Sequence, residues 1–113
     1  MADNDDPYAN QILELRRGTI VLAILSQLAA PKYGYALLQT LESAGLPVDA
    51  GTLYPLLRRL EKQGVLESSW DTSDKRPRKY YRLSQEGTAL YERLAEAWRA
   101  TAETMTVMLH KEN

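Results

Sequence analysis

The sequence predicts a mainly α-helical protein with one small β-hairpin. Two observations carry this. Apolar residues recur at helical spacing through three successive segments and again near the end of the chain. Between these, two short runs carrying aromatic residues, the second with alternating character, flank the polar stretch Asp71 to Pro77.

The first helix opens at Asp6-Pro7, an N-cap followed by proline at the first helical position. Its apolar positions include Ile12, Leu15, Ile20, Ile24, Leu25 and Leu28, so the helix is expected to reach about Ala30 before Pro31 stops it. Gly18 lies inside it and suggests a close packing contact. Tyr33-Gly34-Tyr35 opens a second helix with Ala36, Leu37, Leu38 and Leu41 on its apolar face. Gly45 and Pro47 end it.

Asp49 is the expected N-cap of a third helix. Leu53, Leu56, Leu57 and Leu60 fall at i, i+3, i+4 and i+7, one apolar face. At about 100° per residue, Gly51, Pro55, Arg58 and Lys62 point the other way. Pro55 removes a backbone hydrogen bond from this helix, and Gly64 ends it. Strands are expected at Val65 to Trp70 and Arg78 to Leu83; such a hairpin must pack on the helices to be stable. Ser84-Gln85-Glu86-Gly87 loosely resembles a capping box at the start of the last helix. Along it Tyr91, Leu94, Trp98, Thr101, Met105 and Met108 follow at spacings of three and four, a heptad-like seam.

The order helix, helix, helix, strand, strand, helix is that of a winged helix-turn-helix with an appended C-terminal dimerisation helix. We divide it into a flexible N-terminus at 1–7, a DNA-binding domain at 8–83 and a dimerisation helix at 84–113. Such a domain presents its third helix to the major groove and its hairpin, the wing, to phosphates or the minor groove.

Charge agrees with this. The chain carries a net charge of −1, yet residues 58–82 hold eight basic and four acidic side chains, a local +4 against −5 elsewhere. That asymmetry is either a nucleic-acid footprint or a solvated face balanced elsewhere. Arg58 and Lys62 on the third helix, with Thr52 and Tyr54 in its first turns, are candidate DNA contacts. Tyr54 has rim packing as its alternative. Lys75, Arg76, Arg78 and Lys79 at the wing would position phosphates, whereas Trp70, Tyr80 and Tyr81 read as wing core.

Catalysis has no visible machinery. The chain has no Cys and one His, His110, and it shows no glycine-rich phosphate loop and no metal-ligand cluster. No catalytic residue, metal or cofactor is expected. Met1 to Asp6 is acidic where a secretion signal needs positive charge, and the apolar run Thr19 to Leu25 is too short to span a bilayer. The expected location is the cytoplasm.

Three blocks resemble the PadR family of transcriptional regulators. They are Gly34-Tyr35, the segment from Gly51-Thr52-Leu53-Tyr54-Pro55 through Arg58-Arg59-Leu60-Glu61-Lys62-Gln63-Gly64, and Arg76-Pro77-Arg78-Lys79-Tyr80-Tyr81-Arg82-Leu83. The resemblance runs over roughly residues 18–100. It implies a homodimer joined through the last helix, binding a double-stranded operator and repressing nearby genes until a small ligand releases it. It also adds Tyr35 to the DNA-binding residues. Ala95-Glu96-Ala97-Trp98 is similar to the compact subfamily, some members of which bind flat hydrophobic drugs at the dimer interface and repress efflux-pump genes. On that likeness Trp98, Leu94 and Met105 are the candidate ligand contacts; the spacing of three and four along the last helix makes Tyr91, Leu94, Trp98, Met105 and Met108 the candidate dimer contacts. For Trp98, Met105 and Met108 two readings stand, a plain seam of adaptable side chains or a permissive aromatic pocket. For the whole protein the alternative is a winged-helix interaction module without sequence-specific DNA binding.

Overall fold

The computed structural model describes residues 6–110, so most of the expected flexible N-terminus lies outside the described residues. The Asp6 carboxylate accepts from the Tyr8 amide at 2.9 Å and caps α1, Pro7–Arg17, with Pro7 at the first turn. The expected continuous first helix is two helices, because the chain breaks at Gly18-Thr19 before α2, Ile20–Ser26. Both the amide and the hydroxyl of Thr19 donate to the Arg16 carbonyl, at 2.9 and 2.8 Å, which closes a tight turn in place of continued helix. Glycine's low helix propensity makes this the natural place to break. The close packing contact expected at Gly18 is absent within the chain, since no atom lies within 4 Å of where its Cβ would be. α2 also stops four residues short of Ala30, as the Ser26 hydroxyl turns back onto the Ala23 carbonyl at 2.6 Å.

α3, Gly34–Ser43, and α4, Ala50–Lys62, end alike. Gly45 and Gly64 take the left-handed conformation, at φ 95° and 82°. In each case the next amide returns to the last turn, Leu46 to the Leu41 carbonyl and Val65 to the Leu60 carbonyl, both at 2.9 Å. The second of these reversals delivers the chain directly into β2, Leu66–Asp71, which pairs antiparallel with β3, Arg78–Leu83.

The hairpin is not alone. A two-residue strand, β1, Lys32–Tyr33, pairs with the other edge of β3, so the sheet has the order β1-β3-β2. A run this short carries no alternation and pairs only with residues distant in sequence, so nothing local announces it. Ile24, Leu25 and Leu28, with Leu37, Leu41, Leu53, Leu57 and Leu60, form the core that Val65, Leu66 and Tyr81 close from the sheet. Of the expected wing core, Tyr81 is buried and Tyr80 half-buried, but Trp70 is 62% exposed because the hairpin extends past the helices there.

α5, Gln85–His110, starts against this core. The Ser84 hydroxyl accepts from the Gly87 amide at 2.9 Å and donates to the Gly64 and Val65 carbonyls. A Cβ on Gly87 would stand 2.0 Å from the Val65 carbonyl oxygen, so the glutamate that completes a capping box has no room here. Leu90, Tyr91 and Leu94 pack on the core, whereas Trp98, Met105 and Met108 are 48%, 43% and 61% exposed. At the other end, α1 buries no residue and exposes Tyr8, Leu13 and Leu15. No helix among the described residues is long and apolar enough to cross a membrane.

Two substitutions test this junction. Ser84→Ala removes the cap on the Gly87 amide and the hydroxyl bonds to the Gly64 and Val65 carbonyls, and is expected to cost about 1–2 kcal/mol. Gly87→Ala presses a methyl into a carbonyl and is expected to cost about 1–3 kcal/mol or more. Chemical denaturation with unchanged midpoints for both would contradict the packing described.

Candidate nucleic-acid interface

α3, the turn at Gly45 and α4 make the helix-turn-helix. Gly34 lets the two helices approach, because a Cβ there would lie 2.5 Å from Cε1 of Tyr54. Tyr54 is therefore half-buried against α3, the rim-packing position. Asp49 precedes α4 as expected, but its carboxylate accepts from the Thr52 hydroxyl at 2.7 Å, and no side-chain bond to the helix backbone is made. Thr52, Pro55, Arg58, Arg59 and Lys62 are exposed along the outer face of α4. Neither Arg58 nor Lys62 forms an ion pair among the described residues.

The wing stands beside this helix. Its tip is ordered by Asp71, whose Oδ1 accepts from the Ser73 hydroxyl at 2.6 Å and the Ser73 amide at 3.0 Å. Lys75, Arg76 and Arg78 are exposed there. Between the wing and the start of α3 runs a groove of about 690 Å³, lined among others by Tyr35, Tyr54, Arg76 and Arg78. Tyr35 is 63% exposed at its edge.

Alternation along β3 separates the cations. Arg78 shares the outer face with Tyr80, and its guanidinium carbon lies 4.9 Å from the centre of the Tyr33 ring. Tyr33 stacks on Tyr80 with ring centres 4.1 Å apart. The Tyr80 hydroxyl donates to that of Tyr33 at 2.6 Å, and Tyr33 donates to Asp71 Oδ2 at 3.0 Å. The Tyr80 hydrogen bond, with desolvation and the nearby Asp71 carboxylate, pushes the Tyr33 hydroxyl up to about 12. Ser73, through its hydroxyl and its amide, holds Asp71 below the ordinary carboxylate range, and Tyr33 adds to this.

Lys79 faces the other way. Its ammonium lies 3.2 Å from Glu61 Oε1 of α4, and 5.1 and 5.9 Å from the ring centres of Tyr81 and Trp70. It is half-buried and paired with Glu61, and it also lines the groove that Arg76 and Arg78 border. Sequence reasoning did not single out Tyr33, Asp71, Glu61 or Ser68. Their partners lie on other elements, so only the strand register reveals them.

Around α5 the expected residues also divide. Trp98 and Tyr91 line a cleft of about 380 Å³ with Leu22, Ala23, Ser26 and Ala95. Leu94 instead packs on the core, and Met105 and Met108 lie further along the helix, outside the cleft.

A helix-turn-helix beside a hairpin wing on a three-stranded sheet, with basic, exposed residues on both helix and wing, defines a winged-helix DNA-binding regulator. Comparison with known proteins narrows the class. Residues 21–93 match the transcriptional regulator PadR-like family, and the chain belongs to that family. The structure is similar to that of a PadR family transcriptional regulator from Eggerthella lenta, with a TM-score of 0.87 at 44% identity, covering 99% of this chain and 100% of that one. A PadR-like transcriptional regulator from Bacillus cereus gives a TM-score of 0.80 at 28% identity over 88% of this chain and 99% of its own. The transcriptional regulator Rv3488 of Mycobacterium tuberculosis is 40% identical over 77 residues, 67% of this chain and 72% of that protein. Members of this family are transcriptional regulators and not enzymes.

The tyrosine network has a spectroscopic signature. With its hydroxyl raised from 10.0 to about 12, Tyr33 should ionise last in an ultraviolet titration. A folded-state value above the unfolded one means its contribution to stability is complete below pH 10.0 and is lost as pH rises toward about 12. Tyr33→Phe is expected to remove the late step and reduce the alkaline loss of stability. A titration in which the variant keeps the same late step would contradict the assignment.

Proposed function

We propose that this protein is a homodimeric repressor that reads an operator with α4 in the major groove and holds the flanking backbone with its wing. Membership of the family implies DNA binding. The observation that carries the rest is the state of Arg58 and Lys62. Both stand exposed on the outer face of α4, and the carboxylate nearest them in the chain, Glu61, is already engaged by the wing. A guanidinium with no internal partner is free for a phosphate or a guanine edge. Thr52 and Tyr35 extend this face, Tyr54 borders it, and Lys75, Arg76 and Arg78 supply backbone contacts beside it. Work on an operator agrees with the expected cytoplasmic location.

Dimerisation is supported by the two ends of the chain. α1 buries nothing and exposes apolar side chains, while α5 beyond Trp98 exposes Met105, Val107, Met108 and Leu109. Helices this amphipathic need a partner surface, and a second copy supplies one to both. Tyr91 and Leu94, by contrast, are used within the subunit and would act as the base of the seam. A dimer sets two α4 helices for half-sites about 34–36 Å apart.

The cleft at Trp98 supports the ligand reading. It is apolar, open and next to the dimer surface, and it offers an indole face for stacking on a planar aromatic effector. Bound there, a ligand that favours one arrangement of the two subunits would alter the spacing of the α4 helices and release the operator.

Fluorescence anisotropy with duplex DNA from upstream of the protein's own gene tests the DNA face. Arg58→Ala is expected to cost about 1–3 kcal/mol and relax sequence preference. Arg76→Ala should weaken binding to all sequences and lower the salt slope by about 0.9. Four unchanged variants, with Lys62→Ala and Arg78→Ala as the others, would move the interface elsewhere. Binding indifferent to sequence would favour an interaction module. Sedimentation should show a dimer at micromolar concentration; a folded monomer would eliminate the seam. Trp98→Ala should abolish fluorescence quenching by planar aromatic compounds, leaving Trp70 as the only indole. Equal binding without Trp98 would rule out stacking.

A further inference from the structure

Of the three ion pairs among the described residues, one joins the recognition helix to the wing. Lys79 Nζ of β3 lies 3.2 Å from Glu61 Oε1 of α4, and both side chains are about 30% exposed, at 28% and 33%. The pairs Arg17–Glu14 and Arg82–Glu67 are far more exposed and stay within one helix or one hairpin. The second oxygen of Glu61 accepts from the Ser68 hydroxyl of β2. One carboxylate of α4 therefore holds both strands of the wing. Ser68 lies opposite Tyr81 and Trp70 opposite Lys79, so all four share one face of the hairpin; Ser68 and Lys79 reach Glu61 and Tyr81 joins the core, while Trp70, nearer the tip, stays exposed. The Lys79 ammonium sits beside both aromatic rings, at 5.1 and 5.9 Å, which further limits where it can go.

The open surface groove at this contact is lined by Arg58, Arg59, Lys62 and Lys79 with Glu61 as its one acid. Arg58 lies three residues before Glu61 on the same helix, a spacing that permits pairing, but Glu61 pairs across to the wing. We propose that Glu61 and Lys79 form a latch that positions the wing relative to the recognition helix, and that Lys79 serves DNA binding through this latch and makes no contact with DNA.

The charge states favour the contact. The Ser68 hydrogen bond, with Lys79, holds the Glu61 carboxyl below its ordinary range despite desolvation. For Lys79, desolvation pulls the ammonium down, but the Glu61 and Tyr81 interactions outweigh it and raise the net value. A half-shielded pair also loses less to salt than an exposed one, so the wing keeps its place under conditions that weaken phosphate contacts. Leu66 and Tyr81 hold the base of the sheet to α4 through the core and the Gly64 turn joins them in the chain; the Glu61 contact adds a polar tie between α4 and both strands.

This inference rests on the DNA-binding reading above, and its test separates the two. If Glu61 and Lys79 acted as independent charges near DNA, Glu61→Gln would tighten binding, Lys79→Gln would weaken it, and the double variant would return close to wild type. The latch predicts otherwise. Glu61→Gln should weaken binding although it removes a negative charge, roughly fivefold, the size of a partly exposed ion pair's coupling. Lys79→Gln should weaken it by a similar factor, and the double variant should be no weaker than either single one. Anisotropy on the upstream duplex, repeated on a random duplex, reads these values. Amide hydrogen exchange without DNA gives the independent measure: Glu61→Gln should speed exchange in residues 68–81 and leave α3 and the first turns of α4 as in wild type. Tighter binding by Glu61→Gln, or unchanged exchange in the hairpin, overturns the latch. Faster exchange in a protein that binds neither duplex would sustain the latch and refute the DNA reading.

Discussion

The Val65 carbonyl is where the helix-turn-helix, the wing and α5 meet. It accepts from the Ser84 amide at 3.0 Å and from the Ser84 hydroxyl at 3.0 Å, and Gly87 is pressed against it. Next to it the Leu83 amide donates to the Leu28 carbonyl at 2.9 Å, joining β3 to the end of α2. A peptide group buried at such a crossing must be fully hydrogen-bonded or it costs as much as a core cavity. Here one serine satisfies several groups at once. The direction in which α5 leaves the core, and with it the disposition of any partner subunit, is set at this point.

Outside the junction the chain uses its charges in two ways. Glu61 and Lys79 are spent on each other, while Arg58, Lys62, Lys75 and Arg76 have no ion-pair partner among the described residues. An overall charge of −1 hides this division. What matters for a polyanion is the set of cations left unneutralised on one face, since those are the ones that release counterions on binding. Arg78 lies between the two groups. Its guanidinium rests on Tyr33 while the residue stays exposed, so the ring restricts its rotamers without burying it.

The two ends of the chain follow a different logic. α1 and the distal half of α5 have helical sequence but no core to lie on, and an isolated helix of α1's length is marginal in water. α1 buries no residue, and α5 beyond Trp98 leaves Met105, Val107, Met108 and Leu109 exposed. The Trp98 cleft lies where this unsatisfied region begins, between α2 and α5.

Much of this was legible in the residues alone. The helices from Tyr33 to Gly64, both strands of the wing and the long last helix follow from periodicity, from Gly45 and Gly64 in left-handed turns, and from Ser84 as a cap, because each is decided by neighbours within a few residues. The outward face of α4 was equally plain from the leucines opposite it. Local pattern failed at Gly18-Thr19, where a threonine hydroxyl closing on Arg16 ends a helix whose apolar repeat continues. It failed again at Lys32–Tyr33, a strand defined solely by pairing with Tyr80 and Tyr81. For the site, sequence placed the basic residues on the right elements but could not sort them. Whether Lys79 faces Glu61 or solvent depends on strand register, and whether Tyr91, Leu94 and Trp98 form one seam depends on where α5 leaves the core. Both are matters of contact between elements distant in the chain, and only the tertiary structure decides them.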